Sequence, residues 1–232
     1  MLILCQTNNK SVTMNCAQAL VHMLENLGVT HVFGIPGAKI DALFIALRDS
    51  KINVVVCRHE QNAAFMAGAI GRMTGRVGVC LVTSGPGVSN LATGLLTATC
   101  EGSPILAIGG EVPLEDRLKQ THQSFDGISL LKPVTKYAAE VVSPLELGDL
   151  FGNAVRAAES GRPGAAFLSL PKDISLAPFE GNLSPLLGTP IHQGAGATSE
   201  IEKAATLINA SKHAVILLGM QSSDPREHHA VR

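Results

Sequence analysis

The segment Arg58-His59-Glu60-Gln61 sets a lone carboxylate between an apolar run, 52–57, and a stretch of very small residues, 61–71. A carboxyl group in that place can take up or deliver a proton, which makes Glu60 a candidate for general acid-base work. If 52–57 is a buried strand, Glu60 lies beyond its carboxyl end, where open parallel sheets bind ligands. The competing reading is a carboxylate in the first turn of a helix, worth about 0.3–1 kcal/mol against the helix dipole. Spacing alone leaves both open. Three glycine-rich segments, Gly34-Ile35-Pro36-Gly37, Thr83-Ser84-Gly85-Pro86-Gly87 and Gly109-Gly110, read as turns that follow strands and open on one edge of the sheet. Glycine permits positive φ and close approach of backbone to a ligand, so such turns line sites. Residues 85–90 imitate the dinucleotide fingerprint G-x-G-x-x-G, but Pro86 in the middle and Asn90 in place of the third glycine argue against nicotinamide. His122-Gln123 precedes Phe125 and Asp126 in a polar stretch, a loop able to carry polar groups to a pocket.

Other chemistries find no residues to run them. The eight histidines show no H-x-x-x-H spacing and no carboxylate cluster offers an oxygen cage, so no metal ligands are assigned. Neither a G-x-S-x-G elbow nor a Walker loop occurs.

The elements that must position Glu60 alternate as helical patterns and short apolar β runs, the signature of βαβ units and a mostly parallel α/β sheet with helices on both faces. Six strands are expected, at 31–34, 52–57, 77–82, 104–109, 134–141 and 165–170. Thr13 can cap a first helix that Gly28 closes, and Ser143-Pro144-Leu145-Glu146 reads as a capping box for a helix reaching about Glu159. Helix 61–71 is dominated by alanine and glycine and carries no charge before Arg72, so it should be buried between the sheet and something else, another subunit being one candidate. The same holds, less strongly, for 91–100. A core helix within one domain explains the pattern equally. From Pro171 the pattern dissolves, and a linker is expected before a new unit. Ser199-Glu200-Ile201-Glu202 reads as its capping box, followed by a helix to about Ala210 and a strand at 214–219. The expected division is an extension at 1–12, a first domain at 13–175, a linker at 176–197 and the start of a second domain at 198–232.

Composition narrows the partners. Of 232 residues, 46% are hydrophobic and 16% charged, enough to bury a core. With a net charge of -1, no basic stripe and one tyrosine, nucleic acid is not an expected partner. Five cysteines without a C-x-x-C pair lie mostly in apolar runs, as in a reducing, cytoplasmic compartment. The apolar start at 1–5 is too short for a signal segment, and no run approaches the ~18 residues of a membrane span.

Residues 14 to 232 resemble the N-terminal part of thiamine-diphosphate-dependent acetolactate synthases. The motifs that carry the likeness are Phe33-Gly34-Ile35-Pro36-Gly37-Ala38, Arg58-His59-Glu60-Gln61-Asn62-Ala63-Ala64, Thr83-Ser84-Gly85-Pro86-Gly87, Ser160-Gly161-Arg162-Pro163-Gly164 and Pro171-Lys172-Asp173, in that order. Gly37-Ala38-Lys39-Ile40-Asp41 and Thr121-His122-Gln123-Ser124 look more like the catabolic, pyruvate-condensing branch. The resemblance implies a pyrimidine-binding domain, then a central domain. It implies that Glu60 meets N1′ of the aminopyrimidine, favouring the imino tautomer that removes the thiazolium C2 proton, a role suited to a carboxyl group that burial keeps dry. It further implies that Gln123 stands near substrate, that Pro36, Gly37, Ala38, Thr83, Gly85, Pro86 and Asn90 line the cofactor, and that a homodimer or homotetramer converts two pyruvates to 2-acetolactate and CO2, in acetoin or branched-chain amino acid metabolism. Arg162 matches a flavin-contacting arginine of biosynthetic relatives, but catabolic relatives generally lack FAD, so FAD is not expected. No Gly-Asp-Gly run occurs in residues 1–232, so the Mg²⁺ and diphosphate site of the family is expected outside them, and these residues alone are expected to turn over little. Another decarboxylase or carboligase of the same superfamily, or a non-catalytic dimerising fragment, are the alternatives.

Overall fold

A computed structural model describes residues 14–183, 194–215, 217 and 219. Its six strands are β1 (His31–Gly34), β2 (Asn53–Val56), β3 (Gly78–Val82), β4 (Ile105–Glu111), β5 (Tyr137–Glu140) and β6 (Ala165–Pro171), in the spatial order β2-β1-β3-β4-β6-β5. Every pairing is parallel. Parallel neighbours need crossovers, and α2 (Asp41–Arg48), α3 (Glu60–Thr74), α4 (Pro86–Ser89), α5 (Ala92–Glu101), α6 (Gly127–Leu131) and α7 (Leu147–Glu159) lie in them, while α1 (Cys16–Asn26) precedes β1 and α8 (Lys172–Leu176) and α9 (Thr198–Ala210) follow β6.

The period-two alternation of the strands divides the core into two. Val79 and Leu81 of β3, with Leu106 and Ile108 of β4, face α1, α2 and α7, while Cys80, Val82, Ile105 and Ala107 face α3 and α5. Phe151 on the first side and Phe167 on the second are fully buried, and truncating either to alanine should cost about 3–5 kcal/mol. The small residues of α3 serve this packing: a Cβ on Gly71 would lie 2.2 Å from the Pro104 carbonyl oxygen. One face of α3 therefore presses on its own sheet. The other carries Phe65, Met66 and Met73, which with Leu96 of α5 are exposed.

Several sequence expectations shift. The run 52–57 forms not a buried central strand but the sheet's edge, with Val56 63% exposed; an apolar β-branched run reads the same on an edge as in a centre. Gly109-Gly110 is no turn, since β4 continues through both to Glu111. Thr13 lies outside the described residues, and Asn15 caps α1: its side chain accepts from Gln18 N at 2.8 Å while Gln18 reaches back to Asn15 N at 2.9 Å. Ser143 accepts from Leu145 N within a 3-10 turn, Pro144–Glu146, and α7 starts only at Leu147. Helix α9 starts at Thr198 after Ala197, without a side-chain cap, and all its side chains are exposed. Within the expected strand 214–219, Ile216 and Leu218 lie outside the described residues and the others form no strand. After β6 the chain stays in the fold: Ile174 of α8 is buried and Pro178 bridges Asn15. The expected extension at 1–12 lies outside the described residues.

Among the described residues, no helix is long and apolar enough to cross a membrane. Cys16, Cys57, Cys80 and Cys100 are free thiols, and burial pushes the Cys16 thiol up to about 11.

Candidate functional site

From β1 the chain moves outward to β2, then returns past β1 to begin β3 and works the other way. The loops leaving β1 and β3 therefore part at a topological switch point, the place beyond the carboxyl ends of the strands where open parallel sheets form a ligand crevice. The turn after Gly34, the approach to α3 and the loop after Val82 all meet there. A Cβ on Gly37 would lie 2.6 Å from Cβ of Thr83, so the first turn rests on the third loop.

Glu60 is the first residue of α3. His59 caps the helix in extended conformation, its Nδ1 accepting from Gln61 N at 3.1 Å, which leaves the Glu60 side chain free of capping duty. Glu60 is half-buried, and Asn90 Nδ2 donates to its Oε2 at 2.9 Å. Its Oε1 lies 3.5 Å from the point a Cβ on Gly87 would occupy, and that same point is 3.0 Å from Cγ2 of Thr83. Gly87 is buried, and its missing side chain lets the loop after β3 pack closely against Glu60 and Thr83. Gly85 has φ +59, and a Cβ there would come within 3.1 Å of the Cα of Gln123. Gln123 itself holds a positive φ of 66, uncommon outside glycine.

Two hydroxyls at this crevice, Thr83 Oγ1 and Ser84 Oγ, are buried without a hydrogen-bond partner, and Ser84 is fully enclosed. Buried polar groups are nearly always paired, so two orphaned hydroxyls beside Glu60 single this loop out. A carboxyl group with one oxygen held by Asn90 can exchange a proton with a ligand through the other.

The structure gathers Glu60, Gly37, Thr83, Gly85, Asn90 and Gln123 around this crevice. Pro36 and Ala38 are exposed on the first turn, which Lys172 ties down by donating from Nζ to Ala38 O at 2.8 Å and to Asp41 Oδ2 at 3.2 Å. Pro86 is the exposed first residue of α4. Arg162 is elsewhere: it precedes β6 at the opposite edge of the sheet and donates to the Cys100 carbonyl. Sequence reasoning passed over Gly87 and Ser84, although both sit in a motif it quoted. It also missed a polar hollow of about 690 Å³ beyond β4, β6 and β5, lined by Glu111, Arg117, Thr121, Asp126, Glu140 and Ser169. There Arg117 pairs with Glu140, and burial pushes the Glu111 carboxyl up. Among the described residues no group of His, Cys, Asp and Glu is placed to hold a metal ion.

A parallel doubly wound α/β domain with a carboxylate at the first turn of a helix beside its switch-point crevice is the class that fold and site define. Residues 14–130 match the family described as thiamine pyrophosphate enzyme, N-terminal TPP binding domain, and the chain belongs to that family. It is 49% identical over 215 residues to a catabolic acetolactate synthase of Raoultella terrigena and 49% identical over 216 residues to an acetolactate synthase of Bacillus subtilis (strain 168), covering 93% of this chain and 38% of each relative. Against the acetolactate synthase isozyme 2 large subunit of Escherichia coli (strain K12) identity is 38% over 206 residues, 89% of this chain and 37% of the relative. The chain thus spans well under half the length of these relatives.

Proposed function

We propose that this chain is the pyrimidine-binding part of a catabolic-type acetolactate synthase that condenses two pyruvates to 2-acetolactate and CO2. The observation that carries the reading is Glu60 at the switch point of the sheet, one oxygen held by Asn90 and the other beside Gly87. Bound thiamine diphosphate would supply a thiazolium carbon able to add to a 2-oxo acid and to hold the electron pair left when CO2 departs. Glu60 Oε1 holds and releases a proton toward the aminopyrimidine. Thr83, Asn90 and the backbone of Gly85 and Pro86 line the cofactor, Pro36, Gly37 and Ala38 close the crevice, and Gln123 offers its amide to substrate.

Identity supports the catabolic assignment, being 49% to the catabolic Raoultella terrigena enzyme against 38% to the Escherichia coli large subunit. The apolar surface of Phe65, Met66, Met73 and Leu96 supports a homodimer or homotetramer, whose second copy would dry the crevice around Glu60. Residues 13–175 form the pyrimidine domain in this reading, 176–197 a linker and 198–232 the start of a central domain. Mg²⁺ and the diphosphate are held outside residues 1–232, which contain no Gly-Asp-Gly run, and no FAD is required. Free thiols support a cytoplasmic location. The test is product analysis of the full-length protein with pyruvate, thiamine diphosphate and Mg²⁺: 2-acetolactate is expected, and acetaldehyde without acetolactate would overturn the reading.

A further inference from the structure

We propose that Asn90 is a positioning residue that fixes which oxygen of Glu60 carries the proton. The proposal rests on the reading of Glu60 as the acid of the crevice, and it assigns Asn90 to the carboxylate rather than to the ligand.

Asn90 is held by its backbone before its side chain acts. It follows α4 directly, and its N–H donates to Pro86 O at 3.0 Å, while Ser89 N donates to Gly85 O at 3.0 Å. The short helix therefore fixes Asn90 relative to the loop of Gly85. Its amide then donates to Glu60 Oε2 across 30 residues of sequence, at 2.9 Å and partly buried. An ionised carboxylate accepts only, so the amide nitrogen rather than its oxygen must face Oε2. With Oε2 so engaged, a proton on Oε2 would compete with the amide N–H for its lone pairs. The proton is directed to Oε1, the oxygen on the Gly87 side. Asn90 also stops the carboxyl group from rotating out of the crevice, a freedom that a side chain at a helix's first residue otherwise keeps.

The test is a double-mutant cycle in the full-length protein with Glu60→Gln, Asn90→Ala and both together, reading thiamine diphosphate affinity by calorimetry in Mg²⁺ beside turnover of pyruvate. Losing a hydrogen bond to a charged group corresponds to about a tenfold effect or more. Asn90→Ala is expected to lower kcat about tenfold with KM for pyruvate within about twofold, and to weaken cofactor binding severalfold. Groups that act through one contact are not additive, so the double variant should fall no lower than Glu60→Gln alone in either readout. Asn90→Ser, which keeps a shorter donor, should recover part of both losses and guards against a variant that fails to fold. Multiplying effects in the double variant, or a folded Asn90→Ala with wild-type kcat and affinity, would overturn the proposal. Non-additive cofactor affinities with turnover indifferent to Glu60→Gln would uphold the contact and overturn the role of Glu60 instead.

Discussion

The two edges of the sheet treat polar groups in opposite ways. At the amino edge charged groups are matched: Glu159, nearly fully buried at the end of α7, accepts from Val77 N at 2.9 Å and from Arg76 Nε at 3.0 Å. Arg162 donates to the Cys100 carbonyl, and Arg72 pairs with Glu101 and reaches Ser103. At the carboxyl edge, Thr83 and Ser84 hydroxyls are buried without partners, Gln123 sits at positive φ, and Gly87 packs closely against Thr83 beside Glu60. Unmet polar groups and backbone strain cost stability. Among the described residues, matched polar groups thus lie at the amino edge and unmatched ones at the carboxyl edge, where the proposed ligand chemistry lies.

That contrast can be broken in descending steps. Gly87→Val crowds the carboxyl edge, where a Cβ alone would lie 3.0 Å from Thr83 Cγ2 and 3.5 Å from Glu60 Oε1; overpacking of about 1–3 kcal/mol should lower the melting temperature, and the displaced Glu60 should weaken thiamine diphosphate binding of the folded protein roughly tenfold or more by calorimetry. Glu159→Ala acts on stability alone: it strands the Val77 N–H and should cost about 2 kcal/mol, read by thermal unfolding, while activity per folded molecule stays within about twofold. A large activity loss in Glu159→Ala beyond its unfolding would erase the distinction between the edges. The smallest effect concerns Glu111, whose carboxyl burial holds above the ordinary carboxylate range. The folded state keeps that proton more tightly than the unfolded chain does. Stability from this group is thus complete below the unfolded value of about 4.3 and is lost as pH rises through the higher folded value. Glu111→Gln, which cannot ionise, should therefore gain in melting temperature over the native protein as pH rises from about 4 to 8, and a gap that shrinks with rising pH would contradict the burial argument.

How much of this was readable beforehand depends on the range of the interaction. The strands β1, β3, β4 and β6 announce themselves because apolar residues suit a sheet covered on both faces, and βαβ alternation implies their parallel pairing. Residues 52–57 carry the same signal yet lie at the edge, since strand order is set by which helices cover which face. Gly109 and Gly110 looked like a turn, but glycine within a strand also marks close approach: Lys39 O lies 2.4 Å from where a Gly110 Cβ would be. Capping was misplaced by two residues at Asn15, where Thr13 and Asn15 are both competent caps. At the site, the position of Glu60 at a strand-to-helix junction follows from local pattern. Its contact with Asn90 does not, because that requires β1 to stand between β2 and β3 and bring together loops 30 residues apart.

The account turns on Glu60, and exchange of the C2 proton of bound thiamine diphosphate with deuterated water measures its role without reference to substrate. In the full-length protein, Glu60→Gln is predicted to slow that exchange at least about a hundredfold, the usual contribution of a positioned acid-base group, while the cofactor remains bound. Exchange at the native rate in a folded, cofactor-loaded Glu60→Gln protein would contradict it.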